Sequence, residues 1–514
     1  MPERRAQKWL VAVSVMLGTI LEVLDTSIVN VALPHMQGAF SASVDEITWV
    51  LTSYLVANGI VIPMTGWLSS RFGRKRYFLA SVALFTLASM ACGAAPDLRT
   101  MVIFRVVQGL GGAAMLPSSQ AILMETFPPD EQPIAMATWG VGLMVAPVLG
   151  PTLGGWITDT YTWRWCFYIN LPIGLVALLM ASRYLEEPGY LRRPSERADW
   201  VGIALLVLGL GATQIVLDRG QRADWFNAGW VRAFTATAAA ALAAFVVWEL
   251  RATNPVVKLR LLGERAFATG CALISLLAFV LFGSLVLWPL YLQNLMRYSA
   301  AQAGWAMAPR GVATGLAMFV VGRLARRIDP RVLIGLGVSM LIAAQWVMAH
   351  FTLDLGWWEI VRPSLLGGAG MGFIFTLLST TALARLPREQ MSHAASIYNL
   401  MRNLGASVGI AVMGTLLVRR EQYHQAVLAR WASPLYPPFR HALAAIPGAM
   451  AARGFRVSAR QGAALLYAQL EAHAAMLAFE DAFLLAGGVA LLILVGIALM
   501  PYSRPPHGAA PAMH

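Results

Sequence analysis

Two carboxylates, Glu22 and Asp25, stand inside an apolar run that begins at Trp9, and a guanidinium, Arg105, stands inside another. An ionised side chain near the middle of a membrane helix costs on the order of 2.5–3.5 kcal/mol on insertion scales, so it faces a partner or a water-filled cavity and has work to do there. The chemistry open to this set is proton transfer. Burial disfavours a carboxylate's charge and a nearby cation favours it, so a carboxylate whose surroundings alternate binds and releases a proton as the protein changes shape. Asp25 is the expected principal protonation site, and Arg105, always charged and in need of an acceptor, is its expected partner. Glu22, three residues earlier on the same helical face, is expected to be a second proton carrier or a contact for cationic or hydrogen-bonding groups of a substrate.

Other polar residues interrupt other apolar runs. Arg105, Gln108 and Gly112 are spaced to share one side of a helix. With Gln108, the residues Asn30, Arg310, Asn399 and Arg402 are expected to line a cavity between helices. Arg402 has two readings, an anion contact or a helix–helix tie, because Gly405 and Gly409 beside it mark a close-packing face. Large flat rings and flexible thioethers suit poorly specified apolar ligands, and Phe, Trp and Met are plentiful here.

The elements that must position these residues are membrane helices. The 514 residues are 58% hydrophobic and only 13% charged, with a mean hydropathy of +0.62, whereas soluble domains carry about 25% charged residues. Apolar runs near 9–33, 46–68, 77–95, 98–123, 133–156, 166–185, 199–217, 229–249, 266–295, 301–322, 331–350, 360–384, 391–418 and 479–500 give fourteen candidate spans. Each approaches or exceeds the roughly 20 residues that cross a bilayer as a helix. The first run is too long for the apolar core of a signal peptide, so it is expected to stay in the membrane.

The formal charge of +13 does not point to nucleic acid, because Lys and Arg punctuate the apolar runs and form no solvated basic module. Basic residues gather in alternate connections, which puts both termini on the cytoplasmic side. The segment 419–478 is then the one sizeable part outside, and 458–473 reads as an amphipathic helix. Nothing supports an enzyme: there is no phosphate-binding Gly-rich loop and no metal-ligand spacing, so no catalytic residue, metal or cofactor is expected, and energy is expected from a proton gradient. Cys92, Cys166 and Cys271 lie in apolar runs and read as small buried hydrophobes.

Glycines and prolines fall in patterns. Gly66, Arg71, Gly73 and Arg74 lie in the short basic turn after the second run, and Gly322 and Arg326 lie at matching offsets after the tenth. One such segment in each half is the trace of a transporter built from two related bundles that rock about a central site. In the fifth run Gly142, Gly150, Gly154 and Gly155 permit close helix approach, while Pro147 and Pro151 remove backbone donors and invite a kink.

The turn at 66–76, the Arg105 segment and the stretch from Gly142 to Gly155 resemble three motifs of the major facilitator superfamily. Leu24 to Pro34, Trp163 to Gly174 and the count of fourteen resemble its fourteen-helix drug:proton antiporter branch; Leu217 to Phe226 and the long segment before the last run resemble the EmrB type. The resemblance implies an all-α polytopic membrane protein with the major facilitator fold: a six-helix bundle over 9–186, two inserted helices over 199–250, and a second bundle over 266–500 that contains the outside segment. It further implies a proton-coupled antiporter that exports hydrophobic or amphipathic toxic compounds across the bacterial inner membrane, with a periplasmic adaptor docked on 419–478 and an outer-membrane channel beyond. The other readings of the same scaffold are a narrow-specificity exporter of a metabolite or fatty acid, and a membrane sensor that transports nothing. One departure stands out: Ser70 occupies a motif position that usually holds an acid, so a lock built on that carboxylate must use other partners. Asp329, which aligns with Gly73, does not replace it.

Overall fold

Residues 2–187, 199–325, 327–432, 435–452 and 458–500 are described by a computed structural model of the chain. Among them every regular element is helical. Thirteen of the described helices are long and apolar enough to cross a bilayer, and we number them by their order among the fourteen runs. Spans 1 to 6 are Gln7–Phe40, Asp45–Phe72, Arg74–Ala94, Leu98–Thr126, Gln132–Thr160 and Trp165–Tyr184; spans 7 and 8 are Trp200–Arg219 and Gly229–Arg251. Span 9 is Arg265–Leu295, and spans 11 to 14 are Pro330–Met348, Trp357–Leu383, Arg388–Ala429 and Arg460–Ile497. Span 10, Ala300–Leu324, is less apolar and completes the fourteen by its packing against spans 5 and 12.

Spans 1–6 pack together, as do 9–14, while span 7 pairs with span 8 and lies against spans 2 and 13. Outward-facing Leu87, Leu179, Trp200, Trp305 and Leu316 are exposed. Such an apolar surface belongs in lipid, where helices satisfy their own backbone groups.

The segment 419–478 is less loop than expected. The helix of span 13 continues to Ala429 and the last helix starts at Ala459, with a short helix, Pro437–Ala451, between them. Hydropathy falls beyond the lipid boundary, but helical hydrogen bonds need no lipid. Ser458 and Gln461 form a capping box at the start of the last helix, where the amphipathic reading placed it. The loop between spans 7 and 8 touches both bundles: the Arg222 guanidinium donates to Asp45 and Thr48, both at 3.1 Å, and the Trp225 indole donates to Thr415 of span 13 at 3.0 Å.

Direct contact between the bundles concentrates in the half that carries Arg71, Arg74, Lys75 and Arg76, here called the basic end. There the two matched glycines meet the opposite bundle. A methyl group on Gly66 of span 2 would sit 2.6 Å from Cα of His393 on span 13; on Gly322 of span 10 it would sit 3.3 Å from the Pro133 carbonyl and from Ala137 Cβ on span 5. The Asn399 amide donates to Gln120 of span 4 at 2.7 Å, and Trp139 of span 5 stacks on Phe375 of span 12 at 6.0 Å. The basic end is closed.

Overpacking a close contact costs about 1–3 kcal/mol. Gly66→Ala is therefore expected to lower the closed-to-open ratio by about fivefold or more, whereas Gly322→Ala, at an adjustable distance, leaves it nearly unchanged. Pulsed electron-resonance distances between spin labels on the basic ends of the two bundles check this; equal distributions in the two variants would refute it.

Candidate functional site

Span 1 carries both carboxylates, and span 5 fixes how it is turned. Added methyls would sit 2.3 Å from Ser27 Cβ at Gly150, 3.2 Å from the Ile28 carbonyl at Gly154 and 3.2 Å from Ile20 Cδ1 at Gly142, so the helix of span 1 lies directly on these glycines. Their contact is within one bundle and leaves Gly155 out, since nothing lies near it. The helix runs uninterrupted from Gln132 to Thr160, through Pro147 and Pro151.

Asp25 is fully buried. Its Oδ2 accepts from Arg105 Nη1 at 2.7 Å, and its Oδ1 accepts from Gln108 Nε2 at 2.9 Å and from Asn170 Nδ2 at 2.8 Å. Three donors from spans 4 and 6 hold one carboxylate of span 1. Arg105, equally buried, also donates to Gln108 Oε1 at 2.7 Å and through Nε to the Val50 carbonyl of span 2 at 2.9 Å, and it lies over the Tyr54 ring at 4.2 Å. Asn170 shares its amide with Ser89 Oγ at 2.9 Å, tying span 3 into the network. Span 4 breaks at Ala113–Ala114 just past Gly112, where a side chain would strike the Tyr54 hydroxyl, 2.8 Å from an added methyl.

Glu22 has different company. Its Oε1 accepts from Asn58 Nδ2 at 3.0 Å, while Oε2 is enclosed without a partner. The cation whose field reaches it is Arg402 of span 13, in the other bundle. The two carboxylates thus divide: Asp25 turns into its own bundle, and Glu22 toward the seam. Tyr54 lies beside both.

The residues expected along a cavity scatter. Gln108 belongs to the Asp25 network instead, because its amide bridges Asp25 and Arg105. Asn399 is a buried tie across the closed end. Asn30 is exposed and donates to the Thr26 carbonyl of its own helix at 3.1 Å. Arg310 and Arg402 are partly buried. The sequence reading missed Asn170, Asn58, Tyr54 and Gln120.

The basic turn finds its acids elsewhere. Ser70 Oγ donates to the Trp67 carbonyl at 2.8 Å, and Arg71 lies over the Trp67 ring at 5.9 Å. Arg74 pairs with Glu125 at the end of span 4. Gly73 has φ +91°, a conformation that favours glycine, and a methyl there would meet Glu187 Oε1 at 2.9 Å. That carboxylate accepts from the backbone N–H of Arg74 at 2.6 Å and Lys75 at 3.2 Å, at the start of span 3, where a helix N-terminus favours negative charge. Arg326 lies outside the described residues, and Asp329 caps the helix of span 11.

Removing one partner of a buried pair strands the other and costs about 3–5 kcal/mol. Arg105→Gln is expected to lower the melting temperature in detergent sharply, and Asp25→Asn added to it to recover part of the loss. Strictly additive losses would mean that the two residues are not coupled.

The chain matches the model of the Major Facilitator Superfamily over residues 15–410. It is 35% identical over 509 residues to the multidrug export protein EmrB of Escherichia coli (strain K12), an alignment that covers 99% of this chain and 98% of that protein. It is 38% identical over 426 residues to the fatty acid resistance protein FarB of Neisseria gonorrhoeae, covering 82% of this chain and 83% of the relative. The solved structure of the proton:xylose symporter XylE superposes with a TM-score of 0.64 at 12% identity over 98% of each chain. That of the human organic anion transporter MFSD10 gives 0.61 at 16% identity, over 94% of this chain and 99% of that one. Two bundles of six spans, glycines matched between the halves and relatives alike over nearly the whole length lead to one conclusion: this multi-pass membrane protein belongs to the Major Facilitator Superfamily.

Proposed function

We propose that the chain is a proton-coupled antiporter that exports hydrophobic or amphipathic toxic compounds by alternating access. Asp25 is its principal proton site, Arg105 the partner that sets when the proton leaves, and Glu22 a second carrier at the seam. The observation that carries this reading is the sealed pair of Asp25 and Arg105. Its donors come from spans 4 and 6, so a movement of span 1 against them strips hydrogen bonds from the carboxylate and makes a proton the replacement. Similarity to EmrB over nearly the full length supports multidrug export as the task. The proton gradient is the energy source, and no cofactor takes part.

With the basic end cytoplasmic, both termini lie inside and the closed state seals the cytoplasmic side. The membrane is then the bacterial inner membrane, and the helices that project beyond spans 13 and 14 reach into the periplasm. They would dock an adaptor that leads to an outer-membrane channel.

Efflux of a dye from vesicles under an imposed pH gradient tests the coupling. Asp25→Asn is expected to reduce gradient-driven efflux by about tenfold or more, a barrier increase of about 1.4 kcal/mol or more, while exchange of labelled for unlabelled substrate without a gradient persists. Unchanged gradient-driven efflux would exclude Asp25 from coupling. For the assembly, the adaptor is expected to copurify with the full chain and to be lost when about residues 430–470 are replaced by a short Gly/Ser linker; equal recovery would leave that segment as a lid or spacer.

A further inference from the structure

We infer that the loop between spans 7 and 8 is a releasable strap across the outer half of the protein, with Trp225 as its clasp, and that it favours a narrow outer opening while the basic end is closed. Such a strap needs only the two-bundle fold and holds whatever the chain carries.

Gly66 and Asp45 stand toward opposite ends of span 2, and on span 13 Thr415 is about six helical turns past His393, which Gly66 meets at the basic end. The loop lies between these outer ends of spans 2 and 13. It is seated on the first bundle. The Thr52 hydroxyl donates to Asp218, the Arg219 guanidinium lies over the Trp49 ring at 4.5 Å and donates to the Asp45 carbonyl at 3.1 Å, and Arg222 donates to Asp45 and Thr48. Toward the second bundle it extends Trp225, whose indole donates to Thr415, and Asp224, which faces Arg419 at 3.5 Å. The ion pair is exposed on both sides and worth little, so the indole carries the link.

Backbone and hydrogen bonds both suit Trp225 to a link that opens. Asp224 and Trp225 are consecutive residues with φ of +53° and +52°. Asp tolerates that left-handed conformation, whereas a bulky ring there is strained and persists only where its surroundings hold it. The backbone N–H of Trp225 donates to the Gly220 carbonyl at 2.7 Å, and the ring packs on Gly220, 2.8 Å from where a methyl there would sit. The turn is thus held from the loop's own side, with the indole aimed at span 13. The Thr415 hydroxyl spends its proton on the Ala411 carbonyl at 2.7 Å, which leaves its oxygen to accept from the indole. The indole has a second acceptor in Gln221 Oε1 of the same loop, at 2.9 Å. A donor that loses Thr415 is therefore not stranded, and the link parts without the cost of an orphaned polar group.

Pulsed electron-resonance distances in the full-length protein in detergent test this, with one spin-label pair on the outer ends of spans 3 and 11 and another on the basic ends of the two bundles. They are read without substrate or gradient, so they are independent of whether export is proton-coupled. Trp225→Phe keeps a ring and removes the N–H; Thr415→Val removes the acceptor. Each is expected to raise the ratio of wide to narrow outer separations by about threefold or more, with the basic-end distances unchanged. The double variant is expected to do no more than either single one, because both break the same bond. Unchanged outer distances in both variants would overturn the strap, and Thr415→Val alone decides this if Trp225→Phe does not fold. Shorter outer distances, which would make the loop a prop, would also overturn it. So would equal shifts at both ends, the mark of general loosening, or additive effects in the double variant.

Discussion

Charge inside hydrocarbon is the constraint on which the arrangement depends. A carboxylate and a guanidinium taken out of water recover their lost hydration only with close geometry and additional hydrogen bonds. Asp25 and Arg105 have both, and the groups that supply them come from spans 1, 2, 4 and 6. One side-chain pair therefore dictates the rotation of four helices. Gln108 cannot bridge the pair unless span 4 presents it one turn after Arg105, and Asn170 cannot reach unless span 6 stands close. The glycines of span 5 then make sense as the flat surface that holds span 1 in register while its other neighbours bond to it.

The same constraint explains the contrast within span 1. Two carboxylates one turn apart would repel if both were ionised at close quarters, and the fold gives them unequal surroundings. Asp25 has a complete set of donors on its own bundle. Glu22 has one amide and, across the seam, the field of Arg402. Rearrangement of the bundles changes what surrounds Glu22 directly and what surrounds Asp25 through the helices that hold its donors.

Much of this was legible in the sequence because charges in apolar runs are rare and expensive. Asp25, Glu22 and Arg105 announce themselves by depth alone, and the glycine spacing of the two basic turns shows the repeat. Uncharged polar residues are harder to read. Asn170 and Asn58 sit in apolar runs without a large cost, and the helical period that groups Arg105 with Gln108 carries no information across helices. A signal did exist for Asn170, a lone amide between Ile169 and Leu171 in an otherwise apolar span. The acids that serve the basic turn, Glu125 and Glu187, were hidden for a different reason: they are remote in the chain from Ser70, whose missing carboxylate was the visible anomaly. Span 10 is the least apolar of the fourteen, and its assignment rests on neighbours that the sequence does not reveal.

The seam at Gly66 has a mechanical consequence. Most interfaces between helices are lined by side chains that bend or change rotamer, so they can be partly open and still in contact. At Gly66 the two helices meet backbone to backbone, and dispersion forces at that range fade within a fraction of an ångström. Such a joint has no slack and no intermediate setting. Separation there is lost contact from the first small displacement, which makes the closed basic end a switch with two positions and not a dial.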